Sequence, residues 1–250
     1  MPEPAKEYIV GSISPTSRPG SGAENQLDDK LPASIRFIHR SMNFTRGTEA
    51  EFGAAMPGYA AKVAELVSMG AELIRPGGAP PFMLLGFAGE RETIRGWERK
   101  YGVPIFTSGQ NHVRALRTLG VSKFVGVSYF PERLNAVFAR YFMEAGFRLL
   151  AMEGMQVPFA DVPELPPEEI HDYIKARFEQ HRDAEAIYML GSAWKTLGII
   201  EKLERDLKVP VIHPVPARCW ETQIRLGLRR PVAGYGRLLA EMPEPLPLDS

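Results

Sequence analysis

Polar side chains that could move protons follow the predicted strands of this chain. His213 ends the predicted strand 209–212, and an imidazole at a strand tip could act as a general acid or base near pH 7. The alternative is that His213 caps the next helix or bonds to a backbone carbonyl. His112 occupies the corresponding loop earlier in the chain, where we favour a position on a helix surface. His213 is therefore the first candidate for acid–base chemistry.

Groups that could donate hydrogen bonds to an anion lie beside these loops. Gln110 and Asn111 carry amide N–H groups, and Ser192 carries a hydroxyl directly after a glycine turn. Backbone N–H groups at the start of the helix predicted after Gly191 could hold an anion as well. Together these groups predict a binding site for a small carboxylate.

Three larger side chains have two interpretations each. Trp194 could form an aromatic wall that suits a hydrophobic acid, or it could pack in the core. Arg18 lies in a turn-rich loop after the first strand, where it could reach an anionic ligand or be solvated. Arg75 lies inside a strand that should be buried, so it needs an anionic partner. For Arg75 we favour an internal ion pair over a bound carboxylate.

The segments that position these residues occur twice. Residues 71–79 read AELIRPGGA and residues 184–192 read AEAIYMLGS, and each predicts a buried strand that ends in a glycine turn. A strand of similar design precedes each segment and another follows it. Strands that alternate with helices predict parallel sheets covered by helices on both faces. We expect two similar lobes with four-stranded parallel sheets, pseudo-two-fold symmetry, and a cleft between them at Gly78 and Gly191.

The order of elements also predicts the lobe boundaries. We assign 1–112 and 216–250 to lobe 1 and 113–215 to lobe 2, so that the helix from Ala217 returns to the first lobe. The proline-rich stretch 158–167 predicts a loop that could act as a flap.

Composition excludes several classes of function. The 250 residues carry 30 basic and 30 acidic side chains, so no basic surplus indicates nucleic-acid binding. No apolar run approaches the roughly 20 residues that span a bilayer, and no signal-peptide pattern is visible. The five histidines show no metal-ligand spacing, and we expect His171 and His181 on a solvated surface. With a single cysteine, Cys219, a cytoplasmic location is expected.

In the order of its segments the chain resembles the aspartate/glutamate racemase superfamily, and within it the maleate isomerase and arylmalonate decarboxylase branch. The resemblance rests on 126–129 with Asn135 following, on 184–203, on 209–220, and on the GYGRL segment at 234–238. It implies the two-lobed fold and a cofactor-free enzyme. It also implies small carboxylic acids as substrates, handled through carbanion, enolate or covalent thiol chemistry.

The chain departs from this family at the residues that do the chemistry. The racemases carry one cysteine in each lobe, and the resemblance places these positions on Gly78 and Gly191. The substrate-binding residues that follow the first cysteine fall on Ala79 and Pro80, which have no side-chain donor. Tyr129 falls where the related decarboxylase has a carboxylate-binding tyrosine, although it could also fill a loop with its hydroxyl in water.

We therefore predict a cofactor-independent enzyme that acts on a small carboxylic or dicarboxylic acid without the family's thiols. Decarboxylase, cis–trans isomerase and lyase chemistry all remain open. His213 and Tyr129 are the predicted catalytic residues, and Cys219 is expected to be a buried structural cysteine. The alternative is a catalytically degenerate protein that binds a small acid or a partner protein. A homo-oligomer is compatible with the sequence, and no nucleic-acid, membrane or metal partner is predicted.

Overall fold

Strands and helices alternate along the chain in the computed structural model, which describes residues 6–16 and 27–248. The strands are β1 Tyr8–Ser14, β2 Ile35–Ser41, β3 Leu73–Pro76, β4 Lys123–Ser128, β5 Arg148–Gly154, β6 Ile187–Met189 and β7 Val211–Ile212. The helices are α1 Glu49–Gly53, α2 Met56–Ser68, α3 Ala79–Met83, α4 Gly86–Tyr101, α5 Ser108–Thr118, α6 Glu132–Glu144, α7 Pro167–Glu179, α8 Ile200–Leu207, α9 Pro214–Arg225 and α10 Arg237–Glu241. Within these described ranges, no helix combines the length and apolarity needed to cross a membrane.

The strands form two parallel sheets, with the orders β2-β1-β3 and β5-β4-β6-β7. Helices flank both sheets, which confirms the predicted fold class. The first sheet has three strands where four were predicted, because the segment after Gly102 pairs with β3 only at the bridge between Ile74 and Ile105. The extended segment is short because Thr107 caps helix α5 by accepting a hydrogen bond from the backbone N–H of Gln110.

Helix α2 shows how the apolar pattern places a helix on its sheet. Tyr59, Val63 and Leu66 follow one another at helical spacing and are fully buried. Leu66 lies over Gly11 of β1, where an added Cβ would come within 2.9 Å of the leucine side chain. The absence of a side chain at this glycine therefore lets the helix approach the sheet closely.

Arg75 of β3 is buried and has the ion pair predicted for it. Its guanidinium lies 2.5 Å from the Asp28 carboxylate and 4.2 Å from the centre of the Phe37 ring. Ser12 of the neighbouring strand accepts a further hydrogen bond from it at 3.2 Å. The charge is thus compensated within the protein, and Arg75 serves the first sheet rather than a ligand.

Helix α9 follows the second sheet but packs against elements of the first half. The Asn111 side chain on α5 donates to the Glu221 carboxylate at 2.8 Å and to the carbonyl of Ala217 at 3.0 Å. Arg114 lies 3.2 Å from the same carboxylate. These contacts place α9 beside α5, but the predicted boundary after residue 112 falls inside α5 and assigns Arg114 to lobe 2; the division of the chain at residues 112 and 216 stays a proposal.

One surface expectation is wrong. His171 on α7 is buried, with its ring between the carboxylates of Asp172 and Asp206 at 3.0 and 3.4 Å. The helix packs this face against α8, so the charged neighbours in the sequence do not imply exposure of the histidine.

Candidate active site

A small cavity lies where the carboxyl ends of the two sheets meet. Gly78 and Ala79 follow β3, Gly191 and Ser192 follow β6, and Tyr129 follows β4; all five line this cavity, whose volume is about 40 Å³. The other lining residues are mostly apolar: Pro15, Thr16, Phe44, Phe52, Pro80, Pro81, Ser108, His112, Phe130, Phe159, Leu190, Ala193 and Pro214. The structure therefore brings together half of the predicted site residues, from both halves of the chain, around one partly open cavity.

The first glycine turn is held by a tyrosine. The Tyr59 hydroxyl donates to the carbonyl of Gly77 at 2.7 Å. Gly78 has a φ of +86°, a left-handed conformation that other residues rarely adopt. A Cβ at this position would lie 2.8 Å from the Tyr59 hydroxyl oxygen. Both the backbone and the neighbouring hydroxyl therefore oppose a side chain here.

The second glycine turn is held by a tryptophan. Trp194 donates its indole N–H to the carbonyl of Gly191 at 2.8 Å, and its ring contacts Tyr129 edge to face at 5.2 Å. Gly191 has a φ of +110°, and a Cβ there would lie 2.5 Å from Cζ of the Tyr129 ring. Trp194 is thus placed behind Tyr129 in the core. It does not line the cavity, which matches the core-packing alternative.

His213 does not line the cavity either. The ring is buried; its Nδ1 accepts a hydrogen bond from the backbone N–H of Val215 at 3.1 Å, and its Nε2 lies 2.9 Å from the hydroxyl of Thr196. Burial, reinforced by the charge of Arg218, lowers the pKa of His213 to about 3. Both ring nitrogens are used at the start of α9, so the helix-cap alternative replaces the prediction of a proton shuttle in the cleft.

The predicted amide donors are not at the cavity. Asn111 is buried and donates its side-chain N–H groups to residues of α9. Gln110 is also buried and does not line the cavity. Both lie at the start of α5, on a face that packs against other helices. Arg18 lies outside the described residues.

The sequence analysis predicted the wrong environment for His112. It is fully buried and lines the cavity, whereas a helix surface was favoured for it. Its Nδ1 lies 2.8 Å from the Tyr188 hydroxyl, and its Nε2 has no hydrogen-bond partner in the described structure. Burial, with smaller contributions from His213 and Arg218, lowers the pKa of His112 to about 3. The ring is therefore neutral at physiological pH.

A buried carboxylic acid on α4, Glu90, packs against Gly109, which precedes His112 by about one turn of α5. Glu90 accepts a hydrogen bond from Tyr141, and both side chains contact the position where Gly109 lacks a Cβ. Burial raises the pKa of Glu90 to about 7, against the hydrogen bonds from Thr107 and Tyr141. This acid therefore changes its charge near neutral pH, close to the cavity but outside its lining.

Comparison with known proteins identifies the family of this chain. The family model described as arylmalonate decarboxylase matches residues 11–239. The chain belongs to the arylmalonate decarboxylase family. A characterised relative, the arylmalonate decarboxylase of Bordetella bronchiseptica, is 24% identical over 244 residues, which cover 95% of this chain and 98% of the relative. The predicted resemblance to this branch is thereby confirmed.

Solved structures share the fold of this family member. A liganded double mutant of arylmalonate decarboxylase has a TM-score of 0.84 at 22% identity, over 94% of this chain and 99% of the other. The maleate isomerase Iso of Pseudomonas putida S16 has a TM-score of 0.83 at 22% identity, over 95% and 100% of the two chains. A mutant maleate cis-trans isomerase of Nocardia farcinica, with a covalently bound succinylcysteine intermediate, has a TM-score of 0.83 at 19% identity, over 94% and 98%.

Cys219 is remote from the cavity in this family member. It is fully buried on α9 and is absent from the cavity lining. Burial raises the pKa of its thiol to about 12, although the nearby Arg75 acts in the opposite direction. The thiol is therefore protonated at neutral pH, as expected for a structural cysteine. Nor do the described residues contain a group of three or more side chains suited to hold a metal ion.

Proposed function

We propose that this protein is a cofactor-independent enzyme that acts on a small carboxylic or dicarboxylic acid. The reaction would be of the decarboxylase, cis–trans isomerase or lyase type. The observation that carries the proposal is that the glycine turns of both sheets, together with Tyr129, line one partly open cavity. Membership of the arylmalonate decarboxylase family supports the choice of substrate class.

The cavity combines a few polar groups with apolar walls. Tyr129 and Ser192 bring hydroxyls to its lining, while Phe44, Phe52 and Phe159 exclude water from much of the remainder. A hydrogen bond to a carboxylate or developing enolate is stronger in such surroundings than in water. We propose that Tyr129 and Ser192 hold the acid and stabilise the charge that develops on its oxygens.

The proposed mechanism does not use a thiol. The Nocardia farcinica isomerase structure contains a succinylcysteine, but this chain has glycine at both positions where the resemblance places the family's cysteines. Cys219 cannot substitute for them, because a buried thiol with a pKa of about 12 supplies almost no thiolate at neutral pH.

The second candidate function is binding without turnover. It is favoured by the same two glycines, since a protein that has lost both thiols could keep a site for an acid while losing the chemistry. The two functions differ in whether a bound acid is converted.

A combined binding and turnover experiment separates the two candidates. Malonate, phenylmalonate and maleate are screened by thermal shift, and each is then followed by proton NMR with wild type, Tyr129→Phe and Cys219→Ala. We expect conversion of at least one acid, a loss of at least about tenfold in Tyr129→Phe, and wild-type turnover in Cys219→Ala. Stabilisation without conversion would establish the binding function. Loss of turnover in folded Cys219→Ala would restore a thiol mechanism.

A further inference from the structure

His112 lines the cavity, and one of its ring nitrogens is buried without a hydrogen-bond partner. It stacks obliquely on Tyr188 of β6, with the ring centres 5.2 Å apart, and the Tyr188 hydroxyl lies 2.8 Å from Nδ1. The other ring nitrogen, Nε2, is buried and has no partner in the described structure. A buried polar atom without a partner destabilises the free protein, so its position at a cavity wall needs an explanation.

The hydrogen bond with Tyr188 fixes which nitrogen carries the proton. Tyr188 is fully buried, and burial raises the pKa of its phenol well above 10, so the phenol keeps its proton. The hydrogen-bond partner found for that hydroxyl in the described structure is Nδ1 of His112. We assign the phenol as the donor to Nδ1, because its proton has no other acceptor among the described residues, and this assignment places the proton of the neutral imidazole on Nε2.

The donor that results is uncharged over the physiological pH range. The titratable and charged groups around the ring are Tyr188 on β6 together with His213 and Arg218 at α9. The two α9 groups disfavour a positive charge on the ring, in the same direction as burial. An Nε2–H that stays neutral can donate to an anion at any pH above about 4 without titrating.

His112 could supply a side-chain hydrogen-bond donor that the two residues after the first glycine turn lack. Ala79 and Pro80 line the cavity where the family's first-half donors are expected, and neither offers a side-chain hydrogen bond. His112 lines the same cavity from α5, which precedes the second sheet. We infer that the Nε2–H of His112 binds a carboxylate oxygen of the substrate and takes the place of those missing donors. This inference rests on the proposed function of the cavity as a carboxylate site.

Two variants and one spectroscopic measurement test the inference. His112→Phe removes the donor, whereas His112→Gln places an amide N–H near the position of Nε2. Binding of phenylmalonate is measured by calorimetry at pH 7, and long-range proton–nitrogen NMR of the wild type identifies the protonated ring nitrogen before any ligand is added. We expect Nε2 to be protonated, His112→Phe to bind about ten- to a hundredfold more weakly, and His112→Gln to recover most of the affinity.

The outcomes distinguish this inference from the proposed function. Protonation of Nδ1 in the free protein, or wild-type affinity in folded His112→Phe, overturns the role of His112 and leaves the enzyme proposal in place. Binding that depends on His112 without conversion of the acid overturns the enzyme proposal and supports the inference. A wild-type protein that binds none of phenylmalonate, malonate and maleate overturns both.

Discussion

The two halves of the molecule each hold a glycine turn with a different aromatic side chain. In the first half a tyrosine hydroxyl donates to the carbonyl of Gly77, and in the second the indole of Trp194 donates to Gly191. The first turn is crowded by one hydroxyl of Tyr59, the second by the ring of Tyr129. A glycine with positive φ follows a strand in both halves, but helix α3 begins directly after Gly78 whereas an irregular stretch follows Gly191, and the obstacles to a side chain differ.

The buried histidines His112 and His213 also differ in their hydrogen-bond partners. His213 uses both ring nitrogens inside the protein, at Val215 and Thr196, while one ring nitrogen of His112, a residue that lines the cavity, has no partner in the described structure. His213 is the N-cap of α9, whereas His112 lies inside α5 beyond its N-cap Thr107, so the two rings do not occupy equivalent positions. The partners of each ring determine which nitrogen remains available.

The largest effect should come from adding a side chain at the second glycine turn. We expect Gly191→Ala to lower the free energy of unfolding by about 3–5 kcal/mol, because strain at positive φ adds to overlap with Tyr129. Gly78→Ala should cost less, about 1–3 kcal/mol, since a single hydroxyl must move. Urea unfolding of both is compared with Gly120→Ala, which has a φ of +71° but no atom within 4 Å. Equal losses in all three variants would contradict the crowding argument.

Removal of the aromatic hydrogen-bond donor should also destabilise the protein more at the second turn than at the first. Trp194→Phe is expected to cost about 2–3 kcal/mol, because it leaves the Gly191 carbonyl unsatisfied and a void beside Tyr129. Tyr59→Phe removes only a hydroxyl and should cost about 1–2 kcal/mol. Thermal and urea unfolding measure both effects. A larger loss of stability in Tyr59→Phe than in Trp194→Phe would contradict this prediction.

Acidification should lower the free energy of unfolding through His112 and His213. His112 and His213 each have a pKa of about 3 in the folded protein against 6.5 unfolded, so the unfolded state binds more protons as the pH falls below 6.5. Glu90 opposes this, because its folded pKa of about 7 exceeds the ordinary 4.5 and favours the folded state over the same range. From pH 7 to 5 we expect a net loss of about 1–2 kcal/mol.

Glu90→Gln provides the control for that measurement. The variant lacks the opposing group, so its loss of stability from pH 7 to 5 should be about 4 kcal/mol, which exceeds the loss in wild type. Urea unfolding at the two pH values measures both losses. Identical losses in wild type and variant would show that Glu90 does not titrate in this range.

The smallest effect is expected at the second-half histidine. His213→Asn keeps a side chain that can cap α9 and loses the bond to Thr196, so stability should fall by about 1 kcal/mol. Binding of phenylmalonate should stay at the wild-type level, in contrast to His112→Phe. A folded His213→Asn variant without binding or turnover would return His213 to the site.

The sequence predicted the two sheets because the repeated segments 71–79 and 184–192 each combine a buried strand with a glycine turn. It also placed Gly78, Gly191 and Tyr129 around one space, since the carboxyl ends of parallel strands share an edge. It could not fix the face on which His112 lies. That choice depends on the rotation of α5, which tertiary contacts such as the bond from Asn111 to Glu221 set.

Local capping explains the errors in the elements. The fourth strand of the first sheet is replaced by a single bridge because Thr107 begins α5 at once. The helix predicted after Gly191 does not begin there, because residues 192–196 are irregular and a 3₁₀ turn at Leu197–Ile199 precedes α8 from Ile200. The residues before it are used to bring Trp194 back to Gly191. The spacing of hydrophobic residues does not predict such hydrogen bonds.

The path of the chain has a consequence for biosynthesis. The second sheet uses the contiguous stretch 123–212, whereas the first half also needs α9, whose Glu221 and Thr222 bond to Asn111 and Arg75. A ribosome therefore releases all strands of the second sheet before the covering helix of the first half exists. The half that carries His112 is therefore completed only after the strands of the second sheet have been synthesised.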